Sequence, residues 1–90
     1  MDKKELIREK AGALIVQIRA VENIIAGYRY LNRIKRDPEN DAAISRWQKD
    51  GEHYRRQLAE LQEHCPHEWV DEPGYHHIRR CRICGKVERL

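Results

Sequence analysis

The chain contains no phenylalanine and one methionine, and only 40% of its 90 residues are hydrophobic against 37% charged. A chain this short and this polar cannot bury a large single core. It is the kind of chain that draws stability from a metal, a disulfide or a partner. Nothing in it approaches the roughly 20 apolar residues of a bilayer span, so no membrane partner is expected. The opening residues Asp2-Lys3-Lys4-Glu5 lead into an amphipathic pattern instead of the apolar stretch of a signal peptide, which points to a soluble protein of the reducing cytoplasm. Three cysteines, an odd number, argue against a disulfide framework. Charge of one sign is also lacking: 18 basic and 15 acidic residues leave +3, which permits nucleic-acid binding without demanding it. There is no phosphate-cradling glycine loop, dinucleotide fingerprint or serine elbow, which excludes the common enzyme classes built on them.

What is present is heptad order. Ile7, Ala11, Leu14, Ile18, Val21, Ile25 and Tyr28 follow one another in alternating steps of four and three, the seam of a coiled coil. A second row, Ala13, Ala20, Ile24, Leu31 and Ile34, widens this seam, and a stripe so broad needs more than one neighbouring helix. Asp2 and Glu5 match a capping box. The break falls at Arg36-Asp37-Pro38-Glu39-Asn40-Asp41, where Pro38 suits a first helical turn and Asp37 or Asn40 an N-cap. Beyond it Ile44, Trp47, Gly51, Tyr54, Leu58, Leu61 and Cys65 form a second unbroken seam. The expected fold is mainly α: an antiparallel two-helix coiled-coil hairpin over 1–64, with helices at about 3–35 and 41–64, and a small zinc-bound β-knuckle over 65–90. Folding about Pro38 sets Gly51 beside Ile25 and Cys65 beside Ala11.

Cys81-x-x-Cys84-Gly85 places two thiolates on one tight turn. Thirteen residues before it, Cys65-Pro66-His67 offers a second pair of ligands. Three thiolates and one imidazole make a closed set for one structural zinc ion per chain. His67 is favoured as the fourth ligand because it follows Cys65 across a proline-stiffened turn. His64, His76 and His77 remain alternatives, the last two expected in mid-strand. Strands are expected at Glu68–Val70, Tyr75–Arg80 and Lys86–Arg89, turned by Asp71–Gly74, with Trp69 and Ile78 covering the site. Four good ligands leave no open position for a catalytic water, so the zinc is read as structural and the protein as no enzyme.

Through Cys65-x-His67, Cys81-x-x-Cys84 and Gly85, the C-terminal third resembles the zinc-ribbon and zinc-knuckle group. Its first ligand pair departs from the common C-x-x-C form. The resemblance implies a fold held together by its metal, whose surface binds protein or nucleic acid.

The densest basic run is Tyr28–Arg36, with four cations and no acid. Arg29, Arg33 and Arg36 fall on one helix face with Tyr30 nearby, and Arg46 and Lys49 approach from the second helix. Such a patch can hold phosphate and stack a base. It also reads as cations at the negative end of a helix dipole, balanced by Asp37, Glu39 and Asp41. The expected function is therefore a non-catalytic regulator or adaptor with a protein partner, such as a small phage or mobile-element inhibitor. Self-association into a dimeric four-helix bundle is a second use of the same faces, and nucleic-acid or nucleotide binding through the basic patch is the alternative.

Overall fold

The computed structural model describes residues 2–74 and 76–90. Helix α1 spans Lys3–Ile34 and helix α2 Pro38–Glu63, followed by strands β1 (Trp69–Asp71), β2 (Ile78–Cys81) and β3 (Val87–Arg89). The two helices pack against each other and the strands form one antiparallel sheet in the order β1-β2-β3. None of the described helices is long and apolar enough to cross a membrane. The chain divides into two compact units, Met1–Ala13 with Leu58–Leu90, and Leu14–Gln57.

In the Leu14–Gln57 unit the first seam of α1 turns inward. Val21 and Ile25 are buried, and Leu14, Ile18 and Tyr28 are half-buried. On α2, Ala43 and Gly51 are buried. A Cβ at Gly51 would stand 3.3 Å from Val21 Cγ1 and 3.2 Å from Arg55 Nη1. Gly51 thus marks a close approach of the helices, and it faces Val21, not Ile25 as the heptad register suggested. The shift has a local cause. Asp37, not Asn40, is the N-cap: its carboxylate accepts the Glu39 N–H at 2.9 Å, and Pro38 is already the first residue of α2. The helix therefore starts three residues earlier than expected and the chain folds about Arg36, midway between Val21 and Gly51.

Asn32 fastens this turn. Its side-chain oxygen accepts the Asp37 N–H at 3.1 Å and the Asn40 amide at 3.1 Å, while its own amide donates to Asp41 at 3.0 Å. Arg36 pairs with Asp41 at 3.6 Å. These bonds tie the last turn of α1 to the cap and first turn of α2.

In the other unit α1 begins at the Asp2 cap, whose carboxylate accepts the Glu5 N–H at 2.9 Å. Ile7 and Ala11 are buried with Cys65, Cys81, Ile83 and Cys84, and Leu58, Leu61 and Trp69 pack around them. This small core ties the start of α1 to the end of α2 and to the sheet. The sheet's pairing sets Trp69 opposite Cys81 and Arg79 opposite both Asp71 and Glu88. Strand β2 begins only at Ile78. His76 and His77 lie in the turn before it, not in mid-strand, and Tyr75, the expected first residue of that strand, lies outside the described residues. The turn closes through Gly74 at φ 82° and the Glu72 N–H donating to Ile78 O at 3.0 Å. Only glycine holds such a φ without strain.

Candidate metal centre

Each ligand of the candidate site comes from a different local device. Helix α2 tightens in its last turn, with His64 N–H to Leu61 O at 3.2 Å and Cys65 N–H to Gln62 O at 3.3 Å, and Pro66 then ends it. His67 follows at φ 36°, in the left-handed region where the Cβ of a non-glycine residue costs on the order of 1 kcal/mol or more. That turn brings the imidazole back, its Nδ1 3.5 Å from Cys84 Sγ. Trp69 then pairs with Cys81 across the sheet, which seats Cys81 next to the chain leaving α2. From Cys81 the chain makes the knuckle. Gly85 N–H donates to Cys81 O at 3.0 Å, Cys81 N–H to Lys86 O at 2.8 Å, and Gly85 takes φ 77°.

The result is a single cluster of Cys65, His67, Cys81 and Cys84, whose ligand atoms all lie within 4.8 Å of one another. Cys65 Sγ is 3.7 Å from Cys81 Sγ. Cys84 has no exposed surface and Cys81 only 1%, so these thiols face away from water, while His67 is half-buried. Four such groups could bind one metal ion. Of the competing histidines, His64, His76 and His77 are exposed and stand outside the cluster.

The electrostatics point the same way. Burial pushes the Cys81 thiol up, but hydrogen bonds from the Cys84 backbone, the His67 side chain and the Ile83 and Glu68 backbones outweigh it and bring the group to about 6. Burial drives Cys84 the other way, to about 12, against the Lys86 backbone N–H and with Cys65 and Cys81 adding to the rise. Two thiolates in one buried cluster oppose each other's ionisation. A bound cation removes that conflict, since it favours the ionised form of every donor around it.

Around the centre the structure brings in residues that spacing alone could not show. Ile83, inside the knuckle, is buried; Ile78, expected to cover the site, is only half-buried. Trp69 stands against His67 with ring centroids 4.9 Å apart. The Arg79 guanidinium also lies over the Trp69 ring, 4.4 Å from its centroid, held there by Glu88 Oε2 at 3.1 and 2.6 Å. The signal for this stack was the aromatic residue beside a ligand and the alternating charges of the facing strands. Lys4 pairs with Glu68 at 3.3 Å, and Arg80 with Glu72 at 3.3 Å.

Comparison with protein-family models, with curated proteins and with solved structures gave no match. The chemistry of the chain is therefore read from its own residues.

The second candidate site lies in the Leu14–Gln57 unit. Arg29, Tyr30, Arg33, Arg36, Arg46 and Lys49 are all exposed. Among the described residues Arg36 is paired with Asp41, while Arg29 and Arg33 form no ion pair.

Proposed function

We propose that the protein is a non-catalytic, zinc-stabilised helical hairpin that acts by binding another protein. Zinc is the metal that suits the donor set. Tetrahedral zinc, with bonds of about 2.3 Å to sulfur and about 2.1 Å to nitrogen, sets its ligand atoms about 3.8 Å apart for two sulfurs and about 3.6 Å for sulfur and nitrogen. The 3.7 Å between Cys65 and Cys81 and the 3.5 Å between Cys84 and His67 suit those edges. Three soft thiolates favour zinc over magnesium or calcium, which take oxygen ligands. When bound, the ion supplies a cross-link between the end of α2 and the knuckle. Cys65, His67, Cys81 and Cys84 take all four positions, so no open site for substrate or water is left.

The observation that carries the binding role is the exposed side of α1. Val16, Tyr30, Leu31 and Ile34 are 66%, 62%, 49% and 70% exposed on a single helix. Scattered apolar residues are ordinary at a surface, but a row of them along one helix marks an interface. A regulator or adaptor, of the kind carried as a small inhibitor by phages and mobile elements, would use a closed metal site and an exposed apolar helix face in this way.

The test is retention of a bound protein by the zinc-loaded chain as salt is raised, with and without Leu31→Glu. Retention that survives salt and is lost in the variant supports an apolar protein interface. Retention that vanishes as salt rises and is unchanged by Leu31→Glu refutes it. That result would favour the second reading, a nucleic-acid or nucleotide binder, for which the unpaired Arg29 and Arg33 beside Tyr30 are the supporting feature.

A further inference from the structure

A second heptad seam runs along α1 beside the one that faces α2. Gln17, Ala20, Ile24, Gly27, Leu31 and Ile34 follow in steps of 3, 4, 3, 4 and 3. Within the Leu14–Gln57 unit this seam is open. Ile24 is half-buried and the other five are exposed, and a Cβ at Gly27 would meet nothing within 4 Å. The exposed Val16 and Tyr30 border it on one side. A heptad repeat without a neighbouring helix is a seam awaiting one.

The residue sizes say which helix. One heptad position of the seam holds the long side chains Gln17, Ile24 and Leu31, and the other holds Ala20, Gly27 and Ile34. When two helices pair in parallel, each heptad position meets itself. Ile24 and Leu31 would then hold the helices apart by meeting their own copies, and Ala20 and Gly27 would face theirs across voids. When they pair antiparallel, the two positions meet each other. With the symmetry axis midway between Ile24 and Gly27, Ile24 covers Gly27 of the second chain and Leu31 covers Ala20, and the reverse contacts repeat them. At these two inner layers large meets small, which permits close packing without voids, and at the outer layer Gln17 meets Ile34. Such reciprocal fit is what a two-fold interface between identical chains requires.

Of the basic run, Arg29, Arg33 and Arg36 fall at outward positions of this heptad, away from the seam, so their like charges do not oppose the pairing.

We infer that α1 pairs antiparallel with α1 of a second copy of this chain through Gln17, Ala20, Ile24, Gly27, Leu31 and Ile34, giving a dimer of hairpins. The inference rests on the reading that the exposed face of α1 binds protein, and names the partner as the chain itself. The resulting dimer has four helices, two inner copies of α1 each backed by its own α2.

Sedimentation equilibrium of the zinc-loaded full chain, with helix content followed by circular dichroism, tests it. A reversible dimer is expected, converted to monomer of unchanged helix content by Leu31→Glu. Gly27→Leu gives a second readout: its side chain enters open space in the single chain but occupies the layer that Ile24 of the other copy must fill, so folded monomer is expected again. Orientation is read from the double variant Ala20→Lys with Leu31→Glu. In the antiparallel register each lysine faces a glutamate and dimerisation returns, whereas a parallel pair sets like charges together. A wild-type monomer, a dimer that withstands both Leu31→Glu and Gly27→Leu, or a double variant that stays monomeric overturns the proposal. A wild-type monomer that still retains some other protein in a Leu31-dependent way overturns the pairing and leaves protein binding standing; one indifferent to Leu31 removes both.

Discussion

Stripping the metal should unfold the sheet and leave the Leu14–Gln57 unit folded. The core around the cluster consists of Ile7, Ala11 and Ile83 with half-buried Leu58, Leu61 and Trp69, and its strands are only three or four residues long. A three-stranded sheet of such short elements has little stability of its own. Structural zinc contributes on the order of 10 kcal/mol to a site of this kind, comparable to the ~5–15 kcal/mol of an entire small domain. Removing that contribution therefore reverses the balance for the sheet. The Leu14–Gln57 unit keeps its own buried residues, Val21, Ile25, Ala43 and Gly51, and holds none of the four candidate ligands. Hydrogen exchange before and after a strong chelator is the assay. The bonded amides of Glu72, Cys81 and Leu90 should lose protection by several orders of magnitude, while amides of α1 and α2 between Leu14 and Gln57 keep theirs. Cys84→Ser should reproduce the chelated state without chelator, and native mass spectrometry should find one zinc per wild-type chain and less in the variant. If the sheet amides stayed protected after complete metal removal, packing and not the metal would hold this unit, and the reasoning from the donor set would fail.

Three further outcomes follow from particular contacts. Asn32→Ala removes the two acceptor bonds and one donor bond that fasten the interhelical turn, at about 1 kcal/mol each or less, so urea denaturation should show a loss of about 1–3 kcal/mol. Gly51→Ala gains up to about 1 kcal/mol of helix propensity and gives some of it back against Val21, leaving stability within about 1 kcal/mol of wild type, whereas Gly51→Leu overpacks the approach and should cost about 1–3 kcal/mol in the same assay. The Arg79 guanidinium, bonded to Glu88, holds that carboxyl below its ordinary value of 4.5, so its contribution is present above that value and fades as the pH falls through the lower folded one. Thermal midpoints of wild type and Glu88→Gln with metal present should therefore differ near neutral pH and converge in acid. A gap that widened in acid would reverse that sign.

Much of this architecture is written locally. The two seams, the Asp2–Glu5 cap, the Pro38 break and the spacing of Cys65, His67, Cys81 and Cys84 are short-range patterns, and backbone geometry turns each directly into a helix, a stop or a pair of donors. A heptad, however, specifies that a helix packs and leaves its register free by one turn. Only the folded chain, where Asp37 took the cap and Asn32 closed the turn, placed Gly51 against Val21. The same holds at the cluster. Four histidines lay within reach of the cysteines in sequence, and the left-handed bend at His67 together with the Trp69–Cys81 register brought one imidazole to the thiols and left His76 and His77 in an exposed turn. Ile83 was chosen over Ile78 for the same reason, because burial depends on what the opposing element presents. Sequence determined the elements and the donors; the tertiary structure decided which of them meet, since contacts between distant residues depend on register and turn geometry that no local pattern contains.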